Sequence, residues 1–136
     1  MVMPSKYRQK LQADCSGQLL VTIDRDKCLL LYPMPEWEKI ETVLTGLSTL
    51  DRKNRRIQRL MLGHATEVEM DGNGRVRLPQ VLRDFADLDK QFVLVGQGHK
   101  FELWNEEVWN RQRDLWLEEE SDDDAEISAE LRDLRF

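Results

Sequence analysis

Cysteine and histidine are scarce, with two of each in 136 residues. Cys15 and Cys28 form no CxxC pair, and His64 and His99 lie far from both. The ligands for a zinc site are therefore too few, and both thiols are expected to be inert and reduced. No stretch approaches the roughly 18 uninterrupted apolar residues of a membrane-spanning helix. The opening Met-Val-Met-Pro-Ser-Lys lacks the apolar core of a signal peptide, so a cytoplasmic protein is expected. Catalytic signals are equally thin. Neither histidine has a Ser or Cys partner in its own segment, which leaves a nucleophilic triad without support. Asp24 and Asp26 pair two carboxylates, but at a hairpin tip too exposed for the raised pKa of an acid catalyst. Asp71-Gly-Asn-Gly opens like a calcium loop, yet Val76 and Leu82 stand where such a loop needs Gly and Glu. No enzyme activity, cofactor, metal or small-molecule substrate is expected.

What is present is a chain of single-domain size, 40% hydrophobic, long enough for a modest core that two half-length modules would have to share. The net charge of -6 is unevenly spread: residues 114–136 hold 10 acids and 2 bases, whereas residues 1–113 hold 16 acids and 18 bases. Acidity is thus a property of the tail, and its run from Glu118 to Glu126 is expected to be solvated and poorly ordered. Ile127, Leu131 and Leu134 offer one weak amphipathic turn or two beyond it.

The most informative stretch is Glu67 to Pro79, two short alternating segments around a Gly-rich tip. Val68, Met70, Val76 and Leu78 share one face, leaving Glu67, Glu69, Arg75 and Arg77 on the other. A three-residue loop, Gly72-Asn73-Gly74, sets Met70 opposite Val76 and Glu69 opposite Arg77. It also places Asp71 across from Arg75, where an ion pair would close the turn.

Upstream, Pro4 opens a short helix with Tyr7 and Leu11 inward, followed by turn chemistry at Asp14-Cys-Ser-Gly17. Leu19–Ile23 and Lys27–Tyr32 read as a strand pair, and a helix from Pro35 carries Trp37, Ile40, Leu44 and Leu47 as an apolar stripe. A basic helix follows, with Asp51 as N-cap and Gly63 as its stop; Arg52, Lys53, Arg55, Arg56 and Arg59 cover much of its surface. After the hairpin come a helix from Pro79 with Val81, Leu82, Phe85 and Leu88, strands at 91–95 and 100–104, and a helix from Asn105 through Trp116. The four tryptophans follow the apolar stripes and read as core or subunit-interface residues.

The chain repeats. A shift of 75 residues matches Pro4 with Pro79 and Arg8 with Arg83, and a shift of 72 matches Leu29-Leu-Leu-Tyr32 with Phe101-Glu-Leu-Trp104 and Trp37 with Trp109. Met1 then corresponds to Val76, so the first repeat lacks the counterpart of the 67–75 hairpin; a shortened chain or a late-assigned start codon is expected, because an unpaired half-strand leaves a sheet edge open.

Asp71-Gly-Asn-Gly-Arg75 leading to Pro79, Cys28-Leu-Leu-Leu-Tyr-Pro-Met-Pro-Glu-Trp37, Arg59-Leu-Met-Leu-Gly-His-Ala65 and Lys100-Phe-Glu-Leu-Trp104 closely resemble the MraZ family. The resemblance covers residues 1–113. It implies an α+β chain of tandem, pseudo-symmetric AbrB-like swapped-hairpin β-barrel modules with flanking helices. The segments would be a first module at 1–47, a basic linker helix at 48–63, a second module at 64–113 and an acidic tail at 114–136. It also implies a nucleoid-associated transcription regulator of the division and cell wall gene cluster, binding promoter repeats as a homo-oligomeric ring. In that family the first module's Asp-x-x-x-Arg motif is expected to make the principal DNA contacts; that motif is the piece missing here, so Asp71, Gly74 and Arg75 carry over only as the second-module equivalent.

Physical chemistry adds a modest case of its own. An arginine at a hairpin neck can offer a fork to guanine O6 and N7, and a two-stranded ribbon fits the major groove. With the resemblance, Asp71, Gly74, Arg75 and Arg77 are the expected DNA-binding residues. Arg52, Lys53, Arg55, Arg56 and Arg59 are candidate phosphate contacts. The competing structural reading pairs Arg75 and Arg77 with Asp71 and Glu69 across the strands, and treats the basic helix as a solvated face or oligomer contact. A pI near 5.0 counts against a nucleic-acid binder, though the acidity sits in the tail and a ring multiplies weak contacts. The alternative function is a non-enzymatic adaptor or antidote that binds a protein through Trp109, Trp116 and the acidic tail.

Overall fold

The computed structural model describes residues 1–89, 91–121, 128–132 and 134. The described residues fall into two compact units, Met1–Glu106 and Glu107–Phe136. No described helix is long and apolar enough to cross a membrane.

The first unit is α+β. Helix α1 (Ser5–Cys15) leads into strands β1 (Gln18–Ile23) and β2 (Leu29–Pro33), then helices α2 (Met34–Gly46) and α3 (Arg52–Met61). Strand β3 (Thr66–Glu69), helix α4 (Gln80–Phe85) and strands β4 (Phe92–Gly96) and β5 (Phe101–Asn105) complete it. Five antiparallel strands make one sheet in the order β3-β1-β2-β5-β4. Leu19, Val21 and Ile23 of β1, Leu29 and Leu31 of β2, and Phe101 and Leu103 of β5 alternate onto one face. There they form a core with Met3, Leu11, Met70, Val76, Leu82 and Leu88. The intervening Leu20, Thr22, Leu30 and Tyr32 are buried as well, so β1 and β2 are covered on both faces and lose the alternation of a half-solvated strand. On that second side Tyr32 meets Trp37 of α2 with ring centroids 5.6 Å apart. Thr22 Oγ1, wholly buried, donates to Met61 O at 2.6 Å and fastens the end of α3 to β1. Gln58 ties α3 to α2 by donating from Nε2 to Leu44 O at 2.8 Å.

The two repeats meet at their equivalent residues. Leu30 lies opposite Glu102 in the β2–β5 ladder, the two positions that a shift of 72 equates. Met1 and Val76, equated by a shift of 75, also face one another: Val76 N–H donates to Met1 O at 2.8 Å and the Met1 amino group to Val76 O at 3.0 Å. The strands are not equally covered. All but the first residue of β1 is buried between β2 and β3, whereas β4 has a partner on one side only and its residues 92–95 are half-buried. Among the described residues, nothing beside β4 corresponds to β3.

Several local readings are revised. α1 runs to Cys15, so Asp14 and Cys15 belong to the helix, and the turn is made by Ser16 and Gly17 at positive φ. On α4 the inward residue is Leu82, followed by Ala86 and Leu88; Val81 is 71% exposed and Phe85 37%, because the short helix presents only one side to the core. In the second unit α5 (Glu106–Ser121, its first residue in the first unit) continues past Trp116 through Glu118–Glu120, and α6 spans Ala129–Arg132. Those glutamates are exposed, in keeping with a solvated charge run, but helical up to Ser121. Leu131 and Leu134 are exposed, while Glu126 and Ile127 lie outside the described residues.

Candidate nucleic-acid interface

The 67–78 segment folds as its alternation requires near the tip. Met70, Val76 and Leu78 are buried, Val68 is half-buried, and Glu67, Glu69, Arg75 and Arg77 are exposed. Met70 bridges Val76, the register of a three-residue loop. Asp71 N–H donates to Arg75 O and Gly74 N–H to Asp71 O, both at 3.0 Å. Beyond Met70 the limbs part. β3 pairs with β1, placing Val68 opposite Leu19, and Glu69 faces Gln18 rather than Arg77. Residues 1–3 instead lie against 74–76: Val2 bridges Arg75, and Met3 N–H donates to Gly74 O at 2.6 Å. A groove of about 780 Å³ opens between the limbs, with Leu78, Leu88 and Phe92 along it and Arg77 and Arg83 among its charged residues.

The expected Asp71–Arg75 ion pair is replaced by a backbone cap. Asp71 Oδ1 accepts the N–H groups of Arg75 and Asn73, each at 2.9 Å. This is the local side-chain turn that Asp-Gly-Asn-Gly favours, and it competes successfully with a cross-strand pair. The Arg75 N–H bond, then that of Asn73, then the charges of Arg75 and Arg8, hold the Asp71 carboxyl below its ordinary pKa. Among the described residues neither Arg75 nor Arg77 makes a salt bridge, and both are exposed. Gly74 is buried at φ 79°, a left-handed conformation that glycine adopts without strain.

The basic helix starts as expected, with Asp51 Oδ1 accepting Lys53 N–H at 2.8 Å. Arg52, Lys53, Arg56 and Arg59 are exposed, whereas Arg55 is half-buried and donates from Nη1 to Thr49 O at 2.7 Å. Arg52, Arg55, Arg56 and Arg59 border a hollow of about 510 Å³, which concentrates positive charge on one surface. His64 Nδ1 sits 2.7 Å from Leu60 O at the end of this segment, a structural contact.

One constellation was not apparent in the sequence. Asp24, Cys28 and Glu102 bring ligand atoms within 4.8 Å of one another. Burial first, then the charges of Glu102, Asp24 and Asp26, push the Cys28 thiol well above its ordinary pKa, so without a bound cation the thiol stays protonated. Burial first, then the charges of Asp24 and Glu102, raise the Tyr32 phenol as well. Only the antiparallel β2–β5 ladder brings Glu102 there, so no local spacing revealed it.

Comparison with known proteins now places the chain. The family model described as "MraZ protein, putative antitoxin-like" matches residues 1–60 and again 61–132, one copy for each repeat. Proteins named transcriptional regulator MraZ are similar along nearly the whole chain. The one from Thioalkalivibrio sulfidiphilus is 58% identical over 134 residues, 98% of this chain and 89% of its own length. Those from Methylococcus capsulatus and Halorhodospira halophila are 50% and 48% identical, covering 100% and 98% of this chain and 90% and 89% of their own lengths. With both repeats matched and such identity throughout, the chain belongs to the MraZ family.

Proposed function

We propose that this protein is a sequence-specific, DNA-binding transcription regulator that acts without catalysis or cofactor. One observation carries the reading: Arg75 is exposed at the neck of a turn closed by Asp71 and makes no salt bridge among the described residues. A guanidinium held this way can form two parallel bonds to guanine, and Arg77 projects from the same polar face. Arg52, Lys53, Arg56 and Arg59 would contribute sequence-independent phosphate contacts, with Arg55 tied to Thr49 in the connection before its helix. The names of the relatives support a regulator, and the family resemblance extends the reading to promoter repeats of the division and cell wall gene cluster and to a nucleoid location.

The two repeats would be swapped-hairpin modules at 1–47 and 64–113, joined by the basic helix at 48–63 and followed by the acidic tail. A homo-oligomeric ring would present Arg75 several times, turning a weak single contact into useful avidity. The test is equilibrium binding to a duplex carrying the promoter repeats and to a shuffled duplex. Preference for the repeats supports the proposal; equal binding to both removes the sequence-specific part.

A second reading, a protein-binding adaptor or antidote, is favoured by α5. Trp109 and Trp116 meet edge to face with centroids 5.8 Å apart, and Leu115, Trp116 and Leu117 are exposed in sequence. Partner capture that is lost on Trp116→Ala, with DNA binding intact, would favour it.

A further inference from the structure

Arg8 stands on α1, remote in sequence from the hairpin, yet its side chain lies across the hairpin turn. Its Nε donates to Met3 O at 2.7 Å, and Met3 N–H in turn donates to Gly74 O at 2.6 Å. The guanidinium covers the side of Gly74 where a side chain would stand: a Cβ there would collide with Arg8 Nε and fall 2.7 Å from Cδ and 3.0 Å from Cζ. Gly74 is consequently buried while Asp71, Asn73 and Arg75 around it are exposed. The base of Arg8 is itself anchored, because the adjacent Tyr7 ring meets Phe101 of β5 edge-on at 4.9 Å.

We propose that Arg8 is a positioning residue for DNA recognition, clamping the Asp71–Arg75 turn onto residues 1–3 so that Arg75 leaves the hairpin in one direction. The functional half of this inference rests on the DNA-binding reading; the clamp itself does not. Arginine suits the task because one planar group supplies both the Nε donor and a flat surface against the glycine backbone. A guanidinium held in this way reduces the freedom that Arg75 would otherwise surrender on binding.

The repeat provides an internal control. Arg83 occupies the Arg8 position of the second repeat, but it faces Asp89 at 3.8 Å and lines the groove beside Gln80 and Met1. Loss of Arg83 therefore removes the same charge from the same repeat position without touching the turn.

The test compares the full chain with Arg8→Ala, Arg8→Lys and Arg83→Ala. Without DNA, amide exchange at Gly74 and Arg75, whose N–H groups are both held by Asp71, is expected to accelerate about tenfold in Arg8→Ala, the size of one lost charge-assisted hydrogen bond. Protection in β1 and β2 should stay as in the parent, which shows that the variant is folded. Arg83→Ala should leave the turn unchanged. With the promoter-repeat duplex, Arg8→Ala should weaken binding about tenfold at every salt concentration with an unaltered salt slope, and Arg8→Lys should not restore it. Unchanged exchange at Gly74 and Arg75 overturns the clamp. A salt slope reduced by about one, or full rescue by lysine, overturns positioning in favour of a direct phosphate contact. If the parent chain ignores the duplex, the DNA-binding reading fails, and the exchange comparison alone decides whether the clamp exists.

Discussion

Leu30 lies directly opposite Glu102 at the centre of the sheet, and each is the other's counterpart in the repeat. The neighbouring pairs, Leu29 with Leu103 and Leu31 with Phe101, are then exchanged by the same shift of 72, so the ladder relates the repeats by a local two-fold. The Met1–Val76 pair does the same at the start of the repeats. The hairpin and α1 therefore come from different repeats but work as one unit, with Arg8 of the first lying on Gly74 of the second.

Core substitutions at this junction should weaken both repeats together. Leu103 is fully buried against Leu29, and Leu103→Ala is expected to cost about 2–5 kcal/mol through lost burial and the cavity left behind. Urea unfolding followed by tryptophan fluorescence and by circular dichroism should give one coincident transition at a lower midpoint.

Gly74→Ala should destabilise the turn on two counts, a left-handed φ and a Cβ driven into Arg8. The expected loss is about 1–3 kcal/mol, read as a lower unfolding midpoint. Gly72→Ala, whose Cβ meets nothing within 4 Å, should be nearly neutral.

The Asp71 carboxyl titrates below its ordinary 3.8 because the Arg75 N–H, then the Asn73 N–H, then the charges of Arg75 and Arg8 favour the ionised form. The unfolded chain therefore binds the proton more readily, so the contribution of this group to stability is complete above pH 3.8 and disappears as pH falls through the depressed folded value. Asp71→Asn should flatten the acid limb of stability as pH falls through and below 3.8, read from urea midpoints at stepped pH.

Cys28 should resist thiol reagents in the folded protein, since it is wholly buried and its pKa is raised by burial and the Glu102, Asp24 and Asp26 charges. Half-buried Cys15 is expected to label first. Because the unfolded thiol ionises near 9.0 and burial raises the folded one, stability should fall as pH rises beyond 9.0, and Cys28→Ala should reduce that fall, leaving the part due to Tyr32 above 10.0, as read from urea midpoints at stepped pH.

Removing one phosphate-contacting arginine should weaken binding to all duplexes alike. Arg52→Ala or Arg56→Ala is expected to lower the salt slope by about one without altering the preference for promoter repeats.

The hairpin was legible where it is local. Alternation fixed which residues are buried, and the count of turn residues set Met70 opposite Val76. The shifts of 72 and 75 were legible too, because equivalent residues carry similar side chains. What could not be read were relations made only by folding: β3 pairing with β1, residues 1–3 filling the place beside 74–76, Arg8 on Gly74, and Glu102 beside Cys28. The Asp71 cap is a different case. Its signal was present in Asp-Gly-Asn-Gly, where a short carboxylate reaches its own backbone more easily than a cross-strand arginine.

The most direct measurement is the binding of the full chain and of Arg75→Ala to promoter-repeat and shuffled duplexes across a salt series. The parent should prefer the repeats, with affinity falling as salt rises, and Arg75→Ala should lose about 1–3 kcal/mol of that preference while remaining folded. Arg75→Ala that still discriminates as well as the parent would contradict the role given to this arginine.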